Sequence, residues 1–130
     1  MPPRRPSRAL VVFLAMSSPP GTLIVTDRAL AKLPVLSEFR SHLSGLDAGV
    51  FDGVFGNPTA SQVMAGAAAF KEHRADAVIG FGGGAALDVA KVVALMAVHD
   101  GNVIEYVWDH PKVRPIVNAL PCFIALPTTS

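Results

Sequence analysis

Apolar and polar positions along this chain fall into two periods that take turns. Four short apolar runs occupy residues 22–26, 49–55, 77–79 and 122–126. Continuous apolar runs of this length, bounded by turn residues, predict strands buried on both faces of a parallel sheet. Between them the apolar positions recur at helical spacing. Asp27 is placed to cap a short helix over residues 28–33. Pro34 interrupts that helix and opens another, in which Leu36, Phe39 and Leu43 share one face. Gly45 stops it. Gly56-Asn57-Pro58-Thr59 reads as a turn, and Thr59 with Gln62 as a capping box. Val63, Ala67 and Phe70 form the buried stripe of the helix that follows, which ends in polar residues 71–74. A third helix spans 85–98. Residues 99–120 are irregular, broken by Gly101, Pro111 and Pro115, with one helical turn over 103–108. The order β-α-β-α-β-α-loop-β predicts an α/β fold, a doubly wound parallel sheet with right-handed crossovers.

Strand ends of such a sheet are where ligands bind. The richest of these ends lies after residue 79. Gly80, Gly82, Gly83 and Gly84 fall within five positions, directly before the third helix. Glycine permits positive φ and close approach of a ligand to the backbone. The helix start offers unpaired N–H groups and partial positive charge, which suits a pyrophosphate. The spacing matches neither G-x-G-x-x-G nor a P-loop, so a glycine-rich turn that binds nothing is the competing reading. Asp88 and Lys91 are the polar residues of the run 85–98. On a helix expected to be nearly all buried they either pair with each other, Asp88 adding a dipole contact, or shape a ligand pocket. Asp27, Asn57, Gly82 to Gly84 and Thr128 to Ser130 all follow strands, so the fold gathers them on one edge.

With 51% hydrophobic and 16% charged residues, the 130-residue chain can bury a core as one domain. A net charge of +1 without a basic block gives no reason to invoke nucleic acid. The single Cys122 excludes an internal disulfide, suits a reducing compartment, and reads as a small core residue of the last strand. His42, His73, His99 and His110 show no metal-ligand spacing. Trp108 and Tyr106 are expected to pack the irregular segment down. Residues 1–21 stand apart. Arg4, Arg5 and Arg8 precede eight apolar residues and then Ser17-Ser-Pro-Pro-Gly21, the outline of a short secretory signal. A buried strand or an irregular start competes with that reading. The apolar stretch is too short to span a bilayer.

Taken together, Leu23-Ile-Val-Thr-Asp27, Phe51-Asp-Gly53, Asn57-Pro-Thr59, Gly82-Gly-Gly-Ala-Ala-Leu-Asp-Val-Ala-Lys91 and Ala125-Leu-Pro-Thr-Thr-Ser130 resemble the iron-containing (type III) alcohol dehydrogenases. They resemble its N-terminal, Rossmann-like dinucleotide-binding domain, here residues 22–130, which in that family precedes an all-helical metal domain. The resemblance implies hydride transfer between alcohols and NAD, with NADP as an alternative, and Fe²⁺ or Zn²⁺ held by ligands outside this chain. It implies a small alcohol or aldehyde substrate, a cytoplasmic homo-oligomer, and no nucleic-acid or membrane partner. Gly82, Gly83 and Gly84 resemble the pyrophosphate loop and Asp88 the acid at the helix start. Thr128 and Thr129 resemble the threonines lining the cofactor cleft, Asp27 the residue meeting the adenosine ribose, and Asn57 a further cofactor contact. Three features depart from the family. Ala85 replaces a serine, so backbone donors alone would serve the phosphate there. Residues 1–21 do not resemble the usual family start. The chain stops at Ser130 where the family continues Gly-Thr-Gly-Ser-Glu, which reads as truncation and leaves no catalytic or metal residue here. A glycerol dehydrogenase or dehydroquinate synthase relative, or a non-catalytic nucleotide-binding fragment, are the alternatives.

Overall fold

The computed structural model describes residues 21–43, 45–106 and 111–128. The basic and apolar N-terminal stretch up to residue 20, Trp108, His110, Thr129 and Ser130 lie outside them. Strands β1 (Gly21–Asp27), β2 (Asp47–Val54), β3 (Ala77–Gly82) and β4 (Cys122–Pro127) form one parallel sheet in the order β2-β1-β3-β4. Leu23 lies opposite Gly49 on one side and Val78 on the other. Gly82 pairs with Pro127 across β3 and β4. The β1–β2 register slips between Val25 and Asp27, so the chain leaves the sheet at Asp27 with a local irregularity.

Helices α1 (Pro34–Ser41), α2 (Ala60–Glu72) and α3 (Gly84–Ala97) divide between the two faces. Alternate residues of a strand point to opposite faces. Leu23, Val25 and Val78 pack with Val63, Ala67 and Phe70 of α2 and Val89, Ala90 and Val93 of α3. Ile24, Ile79 and Phe81 pack with Leu36 and Phe39 of α1 on the other face. Phe39 stacks on Phe81 with ring centroids 4.9 Å apart, which docks α1 on β3. The central strand β1 is buried from Gly21 to Thr26, as its apolar run predicts. Burying each such aliphatic side chain contributes about 2 kcal/mol.

Several local expectations change. The chain after Asp27 forms only a 3-10 turn, Leu30–Lys32, before Pro34 opens α1. β3 runs on through Gly80 to Gly82, so two of the four clustered glycines are strand residues. Gly80 is needed there for packing: a Cβ would come within 3.0 Å of Ala90 Cβ and 3.1 Å of Leu87 Cδ2. Thr59 caps α2 by accepting from Gln62 N at 3.2 Å. Gln62 does not reach back to complete the box; its Nε2 donates to Phe55 O at 2.8 Å and Asn57 O at 3.4 Å. The loop after β2 presents these carbonyls close to the helix, and they take the amide. α2 ends with Arg74 at φ 55°, and Ala75 N donates to Phe70 O.

Cys122 is exposed, not buried. β4 is the sheet's edge among the described residues, and its free side leaves Cys122 and Ile124 open to solvent. The third helix is not buried all round either. Gly84, Asp88 and Lys91 form an exposed line along α3, while Ala86, Val89, Ala90, Val93 and Ala94 face the sheet. Of the helical turn expected over 103–108, residues 103–106 form a 3-10 turn, and residues 107 and 108 lie outside the described residues.

Candidate functional site

The parallel order puts every strand's carboxyl end on one edge. β1 leads through α1 to β2 on one side, and β3 leads through α3 to β4 on the other. The loops after β1 and β3 therefore diverge between neighbouring strands, which is the crevice where open α/β sheets bind ligands. Asp27 and Gly82 flank that crevice. Asp27 Oδ2 would lie 3.3 Å from a Cβ at Gly82. Thr128 N donates to Gly82 O at 2.9 Å, so the end of β4 is tied to the same point. Asn57 follows β2, one strand further out, and is exposed.

Each glycine of the cluster does a different job. Gly82 has φ 143°, a conformation that disfavours any side chain. Gly83 is extended and is the N-cap of α3, with no side chain capping the helix. Gly84 is the first helical residue, so its φ is ordinary, and the positive φ within the glycine cluster belongs to Gly82. The first intrahelical bond runs from Leu87 N to Gly83 O at 3.1 Å, so the N–H groups before it have no helical partner. A Cβ at Gly83 or Gly84 would meet no atom within 4 Å. Open space over uncapped N–H donors fits a diphosphate: it has room, and hydrogen bonds to offer. Ala85 is half-buried and adds no hydroxyl.

Asp27 uses one carboxylate oxygen locally. Oδ1 accepts from Leu30 N at 2.6 Å and so caps the 3-10 turn. Oδ2 faces the crevice. Asp88 and Lys91 are not ion-paired with each other. Asp88 is the fifth residue of α3, beyond the first turn where the dipole acts most strongly. Beside Asp27 opens a cleft of about 460 Å³ between the ends of β1 and β2, lined by Arg28, Lys32, Val54, Phe55 and Gly56. Arg28 lies over the Phe55 ring, 4.1 Å from its centroid. Phe55 and Lys32 line this cleft, and the sequence reading singled out neither. The usable signal was a base following a strand-end acid, with an aromatic residue at the end of the next strand.

Among the described residues, no group of three or more His, Cys, Asp or Glu side chains could hold a metal ion. His73 and His99 serve the backbone instead, on Asp47 O and Leu95 O at 2.8 Å each. The donor set of this region does not fit a metal.

The iron-containing alcohol dehydrogenase family model matches residues 10–130. The chain belongs to that family. It is 33% identical over 108 residues to 4-hydroxybutyrate dehydrogenase of Cupriavidus necator, covering 83% of this chain and 28% of that enzyme. It is 33% identical over 119 residues to alcohol dehydrogenase 4 of Schizosaccharomyces pombe, covering 90% of this chain and 27% of that one. Among solved structures, 1,3-propanediol oxidoreductase superposes with a TM-score of 0.73 at 29% identity, over 85% of this chain and 28% of the other. Sulfoacetaldehyde reductase from Bifidobacterium kashiwanohense, solved in complex with NAD+, gives 0.70 at 25% identity, over 92% of this chain and 31% of the other. The chain thus spans under a third of the length of these relatives. The comparisons make the region an alcohol-dehydrogenase-type nucleotide-binding fold. Among the described residues no helix is long and apolar enough to cross a membrane.

Proposed function

We propose that this chain is the dinucleotide-binding part of a metal-dependent, NAD(P)-linked alcohol dehydrogenase. The observation that carries the reading is the cradle after β3. Gly83 and Gly84 leave open space above the uncapped start of α3, at the crevice that Asp27 flanks. When bound, NAD or NADP supplies the nicotinamide that takes the hydride from an alcohol. The chain's own residues bind and orient. N–H groups at the start of α3 donate to the pyrophosphate, and the helix end adds a partial positive charge. Asp27 Oδ2 accepts from a ribose hydroxyl, its carboxylate held in place by the bond from Leu30 N. Thr128, tied to Gly82, lines the side of the cleft beyond β3, and Thr129 follows it in the chain. Asn57 lies on the side of β2. Asp88 stands on the exposed line of α3 that runs away from the glycines.

Further parts of the reading follow from family membership and belong to the full-length enzyme. They are a small alcohol or aldehyde substrate, Fe²⁺ or Zn²⁺ on residues outside this chain, a homo-oligomer, and a cytoplasmic location.

The test is Gly84→Val, with NAD binding measured by calorimetry on the purified chain. The Cβ of the new side chain meets nothing in the protein within 4 Å, and the side chain occupies the space proposed for the phosphate. The dissociation constant should rise at least about tenfold, or roughly 1.4 kcal/mol. Unchanged affinity in a folded variant would remove the cradle assignment.

A further inference from the structure

We infer that Gln62 is a positioning residue for the dinucleotide: its buried carboxamide fixes the loop after β2 and so holds Asn57 ready at the crevice. The inference rests on the dinucleotide reading above and adds the residue that prepares one of its contacts.

Gln62 is 6% exposed and is the third residue of α2. Its Nε2 donates to Phe55 O at 2.8 Å and, over a longer 3.4 Å, to Asn57 O. Both partners are carbonyls, so only the amide nitrogen can face them. They stand on either side of Gly56, which turns the chain with φ 60°. One side-chain amide therefore clamps both ends of this turn. Thr59 Oγ1 accepts from Gln62 N at 3.2 Å and ties the rest of the loop to the same residue. The Asn57 side chain is left on the exposed surface of a fixed backbone.

This arrangement is not the one that local stability favours. A Gln at this place in a helix ordinarily turns its oxygen back to the N–H of the capping residue. Here Oε1 is buried and has no hydrogen-bond partner. An unpaired buried acceptor is destabilising, and an apolar side chain of the same length would avoid it. What the carboxamide provides in return is a rigid loop. Two strand spacings, about 10 Å, separate the end of β3 from the end of β2 in the order β2-β1-β3. A dinucleotide anchored over Gly83 and Gly84 is long enough to reach that loop. With residues 55–57 already held, binding orders only the Asn57 side chain. Without the amide the backbone has to be ordered at the same moment, and affinity falls by that entropy.

The experiment is a double-mutant cycle on the purified chain, read as NAD dissociation constants by calorimetry. Wild type, Gln62→Met, Asn57→Ala and the double variant are compared, with Gly84→Val as control and circular dichroism to check folding. Met keeps the length of Gln62 and removes its amide. Gln62→Met should raise the dissociation constant about fivefold, the worth of ordering one backbone residue. Asn57→Ala should raise it about as much, the worth of one hydrogen bond. The double variant should be no weaker than the weaker single variant, because Gln62 acts through Asn57. Gly56→Ala strains the same turn from its open side, where a Cβ meets no atom within 4 Å, and replaces Gln62→Met in the cycle if that variant does not fold. Additive effects, or unchanged NAD affinity in folded Gln62→Met or Asn57→Ala, would overturn the inference and leave the dinucleotide reading standing. A lower denaturation midpoint as the sole effect of Gln62→Met would do the same, since that is what a purely structural Gln62 gives. No NAD binding by wild type, or binding that Gly84→Val does not weaken, would overturn the dinucleotide reading and the inference with it.

Discussion

Gly82 and Gly84 sit two positions apart and are glycine for different reasons. Gly82 is required by the protein. Its φ is 143°, and an added Cβ would press on Ala86 Cβ at 3.1 Å and Asp27 Oδ2 at 3.3 Å. Gly84 has an ordinary helical backbone, and a Cβ there would meet nothing within 4 Å, so the fold itself gives no reason for its missing side chain. The two should separate on substitution. Gly82→Ala should destabilise the fold by about 2 kcal/mol, the usual cost of forcing a side chain into such a conformation, measured by chemical denaturation without ligand. Gly84→Val should leave that midpoint nearly unchanged. The sequence shows a cluster of glycines but not this division, because φ and open space are properties of the folded neighbourhood.

At the scale of elements, His99 joins the end of α3 to the segment before β4. It is 5% exposed. Its Nδ1 donates to Leu95 O at 2.8 Å, and its Nε2 accepts from Val117 N at 3.1 Å and Asn118 N at 3.2 Å. Only the neutral ring with its proton on Nδ1 satisfies all three bonds. Asn118 Nδ2 donates to Val98 O at 2.6 Å, and Tyr106 lies edge-on to the His99 ring. A stretch that reads as irregular in sequence is therefore pinned through its backbone. His99→Ala would strip two N–H groups of their acceptor and should cost about 2 kcal/mol, read as a lower denaturation midpoint. Faster hydrogen exchange at Val117 and Asn118 should accompany it.

For the whole molecule, the surface beyond β3 sets the expected behaviour. Val113, Ile116, Val117, Leu120 and Ile124 are all exposed, on the segment leading into the edge strand β4 or on the strand itself. Unpaired strand edges and apolar patches favour association. At micromolar concentration the purified chain should elute above its 13.6 kDa monomer mass in size-exclusion chromatography with light scattering. The same preparation, given Fe²⁺ or Zn²⁺, NAD and short alcohols, should produce no metal-dependent NADH. The described residues offer no cluster to hold the metal, and metal-assisted hydride transfer needs the alcohol oxygen on a cation. Reproducible turnover would mean that this chain itself holds the metal and the reacting alcohol.

The alternation of apolar runs and helical stripes was enough by itself to specify an α/β chain with parallel strands. Hydrophobic period is local and survives in one dimension, as Leu23-Ile-Val25 and the Val63, Ala67, Phe70 stripe show. The sequence of strands and helices was legible for the same reason, and so was the convergence of Asp27, Gly82 and Thr128 on one edge, although β3 runs on to Gly82, past its apolar run. Tertiary structure alone decided the rest. It set the order β2-β1-β3-β4, which makes β1 central and leaves Cys122 exposed on an edge. It turned the loop after β2 toward the Gln62 amide, leaving the capping box half made. It brought Phe55 under Arg28 from the next strand, forming a cleft that neither residue suggests by itself. Such contacts join residues far apart in the chain, and they depend on register and strand order, which periodicity does not encode.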